Sequence, residues 1–347
     1  MDPLDGAGDG TRDSASGGAS DGASGGTSDG TSGGTSGGTS GGTDWDPAAL
    51  PSLTGRRVLV TGGNAGLGYF ACEQLAGAGA SVVLASRSRD RAGRAISAIR
   101  GLHPDADISF QPLDLADLSS VRTAAAAIAA GPPLAGLLAN AGMVGSPERR
   151  TTADGFEVQF GTNHLGHYAL IASLLPALSA AGTRIVHLGS ISHRWARLTP
   201  SSLQPSSYRN ASAYATSKLA VMAFGFELAR RLELTGSAAT SVVAHPGLAL
   251  GMLSPARPGI GVHEPAAAWR KRVMAPVAQG KDDGAWPLVR ATVDAGIPNG
   301  AYCGPGGWFQ LKGRPVLVPA KPRARESNAA SRLIDLSAAL TGIGLHV

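Results

Sequence analysis

Tyr214 and Lys218, in the segment Tyr214-Ala215-Thr216-Ser217-Lys218, stand four residues apart, which on a helix puts both side chains on one face. Of the five tyrosines in the chain, only this one is followed by a lysine at that spacing. A free phenol has a pKa near 10 and is a poor base at neutral pH. Bringing it to about 7 takes roughly 4 kcal/mol of preference for the phenolate, at about 1.36 kcal/mol per unit. An ammonium group held close in a water-poor site contributes to that preference. The pair therefore reads as an acid–base device that moves a proton to or from a substrate oxygen. Ser190, just after the apolar run Arg184–Leu188, offers a hydroxyl that would hold this oxygen and steady charge developing on it.

Such side chains need a scaffold, and the hydrophobic pattern supplies one. Short β-branched runs at Arg56–Thr61, Ser81–Ala85, Ile108–Leu113, Pro133–Ala139, Arg184–Leu188 and Thr240–Ala244 read as buried strands. Between them lie stretches of helical spacing at Leu67–Ala78, Arg91–Leu102, Leu118–Ala130, Val158–Ala180 and Ala213–Glu233. This alternation predicts an α/β fold, a Rossmann-like doubly wound parallel sheet, in which ligands sit beyond the carboxyl ends of the strands.

The loop Thr61-Gly62-Gly63-Asn64-Ala65-Gly66-Leu67-Gly68 leaves the first strand and opens the first helix. Glycines there let the backbone approach a pyrophosphate, whose charge the helix amino terminus stabilises. The spacing G-x-x-x-G-x-G differs from the G-x-G-x-x-G dinucleotide fingerprint and resembles the T-G-x-x-x-G-x-G loop of the short-chain dehydrogenase/reductase family. The Tyr214/Lys218 pair and the order Asn163, Ser190, Tyr214, Lys218 resemble the same family. The resemblance covers Gly55 to about Gly247. It continues loosely to Leu340 through Gly304–Gly307 and Leu340–Gly342, features similar to those of the retinol-dehydrogenase-like bacterial branch.

The resemblance implies an enzyme that moves a hydride between a nicotinamide cofactor and a carbonyl or alcohol carbon. Thr61, Gly62, Asn64, Gly66, Leu67 and Gly68 would hold the phosphates. Arg87, at the end of the second strand where no acidic residue stands, would meet the 2′-phosphate of NADP(H), with Arg89 and Arg91 as helpers. Asp114 and Leu115 would border the adenine, Asn140, Ala141 and Gly142 would run along the cofactor, and Pro246 and Gly247 would border the nicotinamide. Tyr214 and Lys218 would touch both cofactor and substrate. Asn163 would organise a water near Lys218. Relatives usually carry Thr four residues after the glycine of the Pro-Gly turn, and this chain has Gly251 there. His164 and His167, three apart on one helix, have no third ligand at useful spacing, so packing is expected and no metal.

Rival readings are a non-catalytic NADP-binding redox sensor, against which the Tyr/Lys pair argues, and an epimerase or dehydratase, against which the loop spacing argues. Reduction of a C=C bond stays within the oxidoreductases. The segment from Leu248 to Trp286, with Trp269 and Trp286, is either a lid over an apolar ligand or a surface loop. A substrate-region insertion is expected over about 248–310 of a domain spanning 45–347.

The 347 residues include a four-residue Gly/Ser/Thr repeat from about Gly17 to Thr43 with almost no apolar side chains. Residues 1–44 are thus expected to be a disordered tail, because too little surface can be buried to offset backbone ordering. Deleting residues 1–43 is expected to leave melting temperature and turnover nearly unchanged, and a large fall in either would make the tail part of the enzyme. The 43% hydrophobic and 16% charged content fits a globular protein. The net charge of +5 is scattered as arginine pairs without aromatic neighbours, so nucleic acid is not expected as a partner. Two cysteines imply no disulfide framework. With no secretory pattern and no run of about 18 apolar residues, a cytoplasmic protein without membrane insertion is expected, with a small-molecule partner and room for homo-oligomers.

Overall fold

The computed structural model describes residues 45–203, 207–261 and 263–347; the tail expected over 1–44 lies outside them. The elements are β1 (Arg57–Thr61), α1 (Gly66–Gly77), β2 (Ser81–Ser86), α2 (Arg89–Leu102), β3 (Ile108–Pro112), α3 (Leu118–Ala129) and β4 (Gly136–Ala139). Next come a π-helical turn (Phe160–Leu165), α4 (Gly166–Ala180), β5 (Arg184–Leu188), a 3₁₀ turn (Ile191–Trp195), α5 (Pro200–Leu203), α6 (Asn210–Leu234) and β6 (Thr240–Ala244). The chain ends with α7 (Ala268–Met274), α8 (Lys281–Val293), β7 (Tyr302–Pro305), β8 (Pro315–Leu317) and α9 (Ser327–Thr341).

The strands form one sheet of order β3-β2-β1-β4-β5-β6-β7-β8, and every pairing is parallel except β7 with β8. Alternate residues of a strand feed opposite faces. Val58 and Val60 join Phe70 and Leu75 of α1 and Leu288 and Val289 of α8 on one side. Leu59 joins Val121 of α3, Tyr168 and Leu170 of α4, and Phe224 and Leu228 of α6 on the other. Both faces are covered, which is why the strands read as unbroken apolar runs rather than alternating ones. The change of winding direction falls between β1 and β4, where a crevice opens at the carboxyl ends of the strands.

Two stretches depart from the expected elements. The single helix expected from Val158 begins as a π turn, in which Gly166 N–H donates to Gly161 O five residues back, before α4 continues normally. The stretch expected as one insertion over 248–310 divides. Among the described residues of 248–280 the helical elements are a 3₁₀ turn (Gly251–Leu253) and the short α7, whereas α8 buries Ala285, Leu288, Val289 and Ala291 against α1 and the sheet, and β7 extends the sheet. Gly284 and Pro287 inside α8 had given that helix the composition of a loop.

The helix α6, which carries Tyr214 and Lys218, is tied to α9 through one buried carboxylate. Glu227 accepts hydrogen bonds from Arg230, Arg231, Ser327 and Ser331. Burial alone would raise its pKa, but these donors overrule it and hold the carboxyl down at about 2.

Candidate active site

A cleft of about 520 Å³ runs along the carboxyl ends of β1 to β5. Its floor is the loop Thr61–Gly68. Gly62 and Gly66 have φ of +70° and +58°, in the region that favours glycine. Gly68 is required for a different reason, since a Cβ there would lie 2.4 Å from the Gly62 carbonyl oxygen. No side chain caps α1 at Ala65, so the first N–H groups of the helix are left for an anion.

Beyond β2 the cleft is lined by Ser86, Arg87, Ser88 and Arg91, while Arg89 turns away and stacks its guanidinium 5.1 Å from the centre of the Phe110 ring. Arg87 is exposed at the rim. Leu113, Asp114 and Leu115 line the next section, with Asp114 Oδ1 accepting from Ala116 N–H at 3.0 Å. Asn140, Ala141 and Gly142 follow, and Tyr214 and Lys218 close the far end.

The end of the cleft at Tyr214 is built from a chain of buried hydrogen bonds. Lys218, 3% exposed, donates its Nζ to Leu188 O at 2.9 Å, and burial pulls its pKa down to about 8. Burial pushes the Tyr214 phenol up, and a hydrogen bond with the Ser190 hydroxyl pulls it back down. That hydroxyl also accepts from Ser192 N–H at 3.2 Å, which fixes it at the start of the 3₁₀ turn. A Cβ on Gly142 would lie 3.3 Å from both Lys218 Nζ and Asn163 Oδ1, so the turn rests directly on that pair.

Asn163 is buried, and its amide is used by the protein itself. Oδ1 accepts from Met143 N–H, and Nδ2 donates to Met143 O and to Ser217 Oγ. The residue clamps the turn after Gly142 onto α6. His167 completes the clamp. Its Nδ1 lies 2.9 Å from the Asn163 carbonyl oxygen, an acceptor, so Nδ1 carries the proton and Nε2 accepts from Thr61 Oγ1 at 2.9 Å. Thr61 Oγ1 in turn accepts from Ala141 N–H. Burial holds the imidazole neutral, with a pKa near 4. His164 is placed apart from this chain, bonded to Ser337 Oγ and stacked on Phe160. Among the described residues, no group of three or more His, Cys, Asp or Glu side chains is arranged to hold a metal ion.

Pro246 and Gly247 do not line the cleft; they stand beside it, where Gly247 has φ of +66° and a Cβ would strike Leu311 O at 2.2 Å. Asn163 and Ser190 likewise lie just behind the lining residues. Met143, Val144, Thr162, Leu188, Gly261 and Lys281 line the cleft without having been singled out by any motif. The first four adjoin recognised motifs; Gly261 and Lys281 come from the irregular segment and the start of α8, which carry no sequence signal.

An uncapped helix terminus behind a glycine loop, an arginine at the end of β2 and a phenol–ammonium pair, all on one cleft, define an oxidoreductase site of the dinucleotide-binding kind. The comparisons agree. The family model for short chain dehydrogenase matches residues 56–256. Retinol dehydrogenase 13 of Homo sapiens is 34% identical over 304 residues, 84% of this chain and 86% of that protein. Polyprenol dehydrogenase of Mus musculus is 41% identical over 212 residues, 59% of this chain and 63% of that protein, so the match leaves over a third of that relative uncovered. The crystal structure of an uncharacterised protein from Mycobacterium paratuberculosis superposes with a TM-score of 0.71 at 32% identity, covering 87% of this chain and 99% of that one. The chain belongs to the short-chain dehydrogenase/reductase family, in its retinol-dehydrogenase-like part. No described helix is long and apolar enough to cross a membrane.

Proposed function

We propose that the chain is an NADP(H)-dependent oxidoreductase that interconverts a carbonyl and an alcohol on an apolar small molecule, working in the cytoplasm and running as a ketoreductase. The observation that carries this reading is that Tyr214 and Lys218 share one cleft with the uncapped glycine loop. The bound nicotinamide supplies or accepts the hydride. Ser190 holds the substrate oxygen, Tyr214 delivers the proton to it, and the Lys218 ammonium favours the phenolate left behind. Asn163, His167 and Thr61 keep the turn at Asn140–Gly142 in place beneath.

The end of β2 supports NADP(H) over NAD(H). Its Ser86-Arg87-Ser88 sequence lines the cleft without an acidic group to bind a ribose 2′-hydroxyl, and Arg91 adds a second cation. An apolar substrate is supported by exposed aromatic side chains on segments that adjoin the turn after Ser190 or follow β6. Trp195, Trp308 and Phe309 are 76%, 73% and 61% exposed. Trp195 closes the turn that begins at Ser190, and Gln310 is bonded to Arg194. Trp269, 67% exposed on α7, belongs to the irregular segment after β6. The names of two relatives, a polyprenol dehydrogenase and a retinol dehydrogenase, also point to apolar alcohols.

A panel of apolar ketones, aldehydes and alcohols assayed with both cofactors tests the reaction. Turnover of carbonyls with NADPH is expected; NADPH binding without turnover across the panel would favour the sensor reading, and reduction of enones at carbon a C=C reductase. For the cofactor, Arg87→Ala is expected to weaken NADPH binding about ten- to a hundredfold, the loss of one charge-assisted hydrogen bond, and to leave NADH binding nearly alone. Equal losses for both cofactors, measured by fluorescence titration, would make Arg87 a fold residue, and a native preference for NADH would end the assignment.

A further inference from the structure

Among the described residues lining the cleft, the cations are Arg87, Arg91, Lys218 and Lys281. Arg87 and Arg91 stand beyond β2, and Lys218 is committed to Leu188 O beneath Tyr214. Lys281 comes from α8. It is the first residue of α8, its N–H is fixed on Ser254 Oγ at 2.8 Å, and the next residue, Asp282, accepts through its carbonyl from Gln74 Nε2 of α1 at 3.0 Å. A Cβ on Gly284 would lie 2.9 Å from the Leu67 side chain and 3.5 Å from Pro246 Cβ. The first turn of α8 is thereby packed on α1, and Lys281 lines the cleft together with Ala65, Gly66 and Leu67.

Its ammonium is paired with Glu264, at 3.1 Å, and that carboxylate is 64% exposed. Gly251 makes the arrangement possible, because a Cβ at position 251 would lie 2.4 Å from Glu264 Oε1. The side chain missing at 251 is the space in which Glu264 sits. An ion pair with one largely exposed partner holds weakly, so a second anion entering the cleft can take the ammonium from it.

We propose that Lys281 is a cofactor-binding residue: its ammonium meets the phosphates that NADH and NADPH have in common, and Glu264 is the counter-ion it gives up. The proposal rests on the dinucleotide reading of the cleft and adds to it a contact from outside the glycine loop. It separates two cationic ends with different tasks. Arg87 discriminates between the two cofactors, and Lys281 strengthens the binding of both.

Fluorescence titration of the full-length protein with NADPH and with NADH tests this. Lys281→Met is expected to weaken both by about tenfold, leaving their ratio unchanged, in contrast to Arg87→Ala. Lys281→Arg is expected to restore binding of both. Glu264→Gln removes the same ion pair but leaves the ammonium free, so it is expected to bind both cofactors at least as tightly as the native chain. Binding by Lys281→Met within about twofold of native would overturn the proposal, as would a loss confined to NADPH. A loss in Glu264→Gln equal to that in Lys281→Met would also overturn it, since the pair would then serve the fold. If the native chain binds neither dinucleotide, the reading of the cleft falls first and the role of Lys281 with it.

Discussion

Tyr214→Phe is expected to fold, to bind NADPH and to lose about 10²–10⁴-fold in carbonyl reduction at pH 7, the usual contribution of a positioned acid–base group. The change removes one oxygen and keeps the ring. The Lys218 ammonium keeps its bond to Leu188 O, and the Asn163 clamp on Met143 and Ser217 is untouched. Burial raises the phenol pKa and Ser190 opposes it, so the pH dependence has a defined sign. Reduction requires the protonated phenol and falls as pH rises through its pKa; oxidation of the alcohol requires the phenolate and rises over the same range. In Tyr214→Phe both limbs should flatten. Turnover near the native rate would refute the mechanism, and loss of NADPH binding in parallel with activity would move Tyr214 from proton donor to cofactor support.

Lys218→Met is expected to fail differently, with kcat and NADPH affinity falling together. On the proposed reading, losing the ammonium would remove a cofactor contact and the charge that favours the Tyr214 phenolate. The fold should respond in the opposite sense. Burial lowers the Lys218 pKa from 10.5 to about 8, so the unfolded chain binds more protons than the folded one between those values. The cost of the buried charge is therefore complete below about pH 8 and fades as pH rises toward 10.5. Methionine removes that cost at every pH, at the expense of leaving Leu188 O without its donor, about 1–3 kcal/mol. The melting temperature of Lys218→Met relative to native should accordingly be highest near neutral pH and decline as pH is raised. A difference that is flat with pH would show that Lys218 is not a buried cation in the folded protein.

The legible part of this molecule was the part whose partners are close in sequence or repeat with a simple period. Strands buried on both faces are apolar runs, and β5 and β6 begin and end where the pattern places them. The loop at Thr61–Gly68 is a local motif, as is the Tyr214/Lys218 spacing. What stayed hidden depends on distant partners. His167 looked like a packing residue because Thr61, to which it bonds, lies 106 positions away. Asn163 was read as a residue that organises a water near Lys218, and the bonds of its amide to Met143 and Ser217 lay outside that reading. Lys281 had no motif at all; it reaches the cleft through distant partners of α8, Ser254 at Lys281, Gln74 at Asp282 and Leu67 at Gly284. Gly251 looked like a loss, and its space turns out to be filled by Glu264 from a segment without a recognisable pattern.

The wide turn at Phe160–Leu165 makes the length of this stretch matter more than its letters. A π turn holds one residue more than the α-helix around it, so it behaves as a one-residue insertion lodged in a helix. Deleting a residue there and letting the stretch close up as a regular α-helix would leave the flanks at about the same angle to each other and remove the widened turn on which Asn163 stands. Asn163 and His167 stand on either side of the junction with α4, and they reach Met143 and Thr61 only at their present angle. A neighbouring side chain can change with local consequences, whereas closing the wide turn would shift Asn163 against the Met143 turn that it holds.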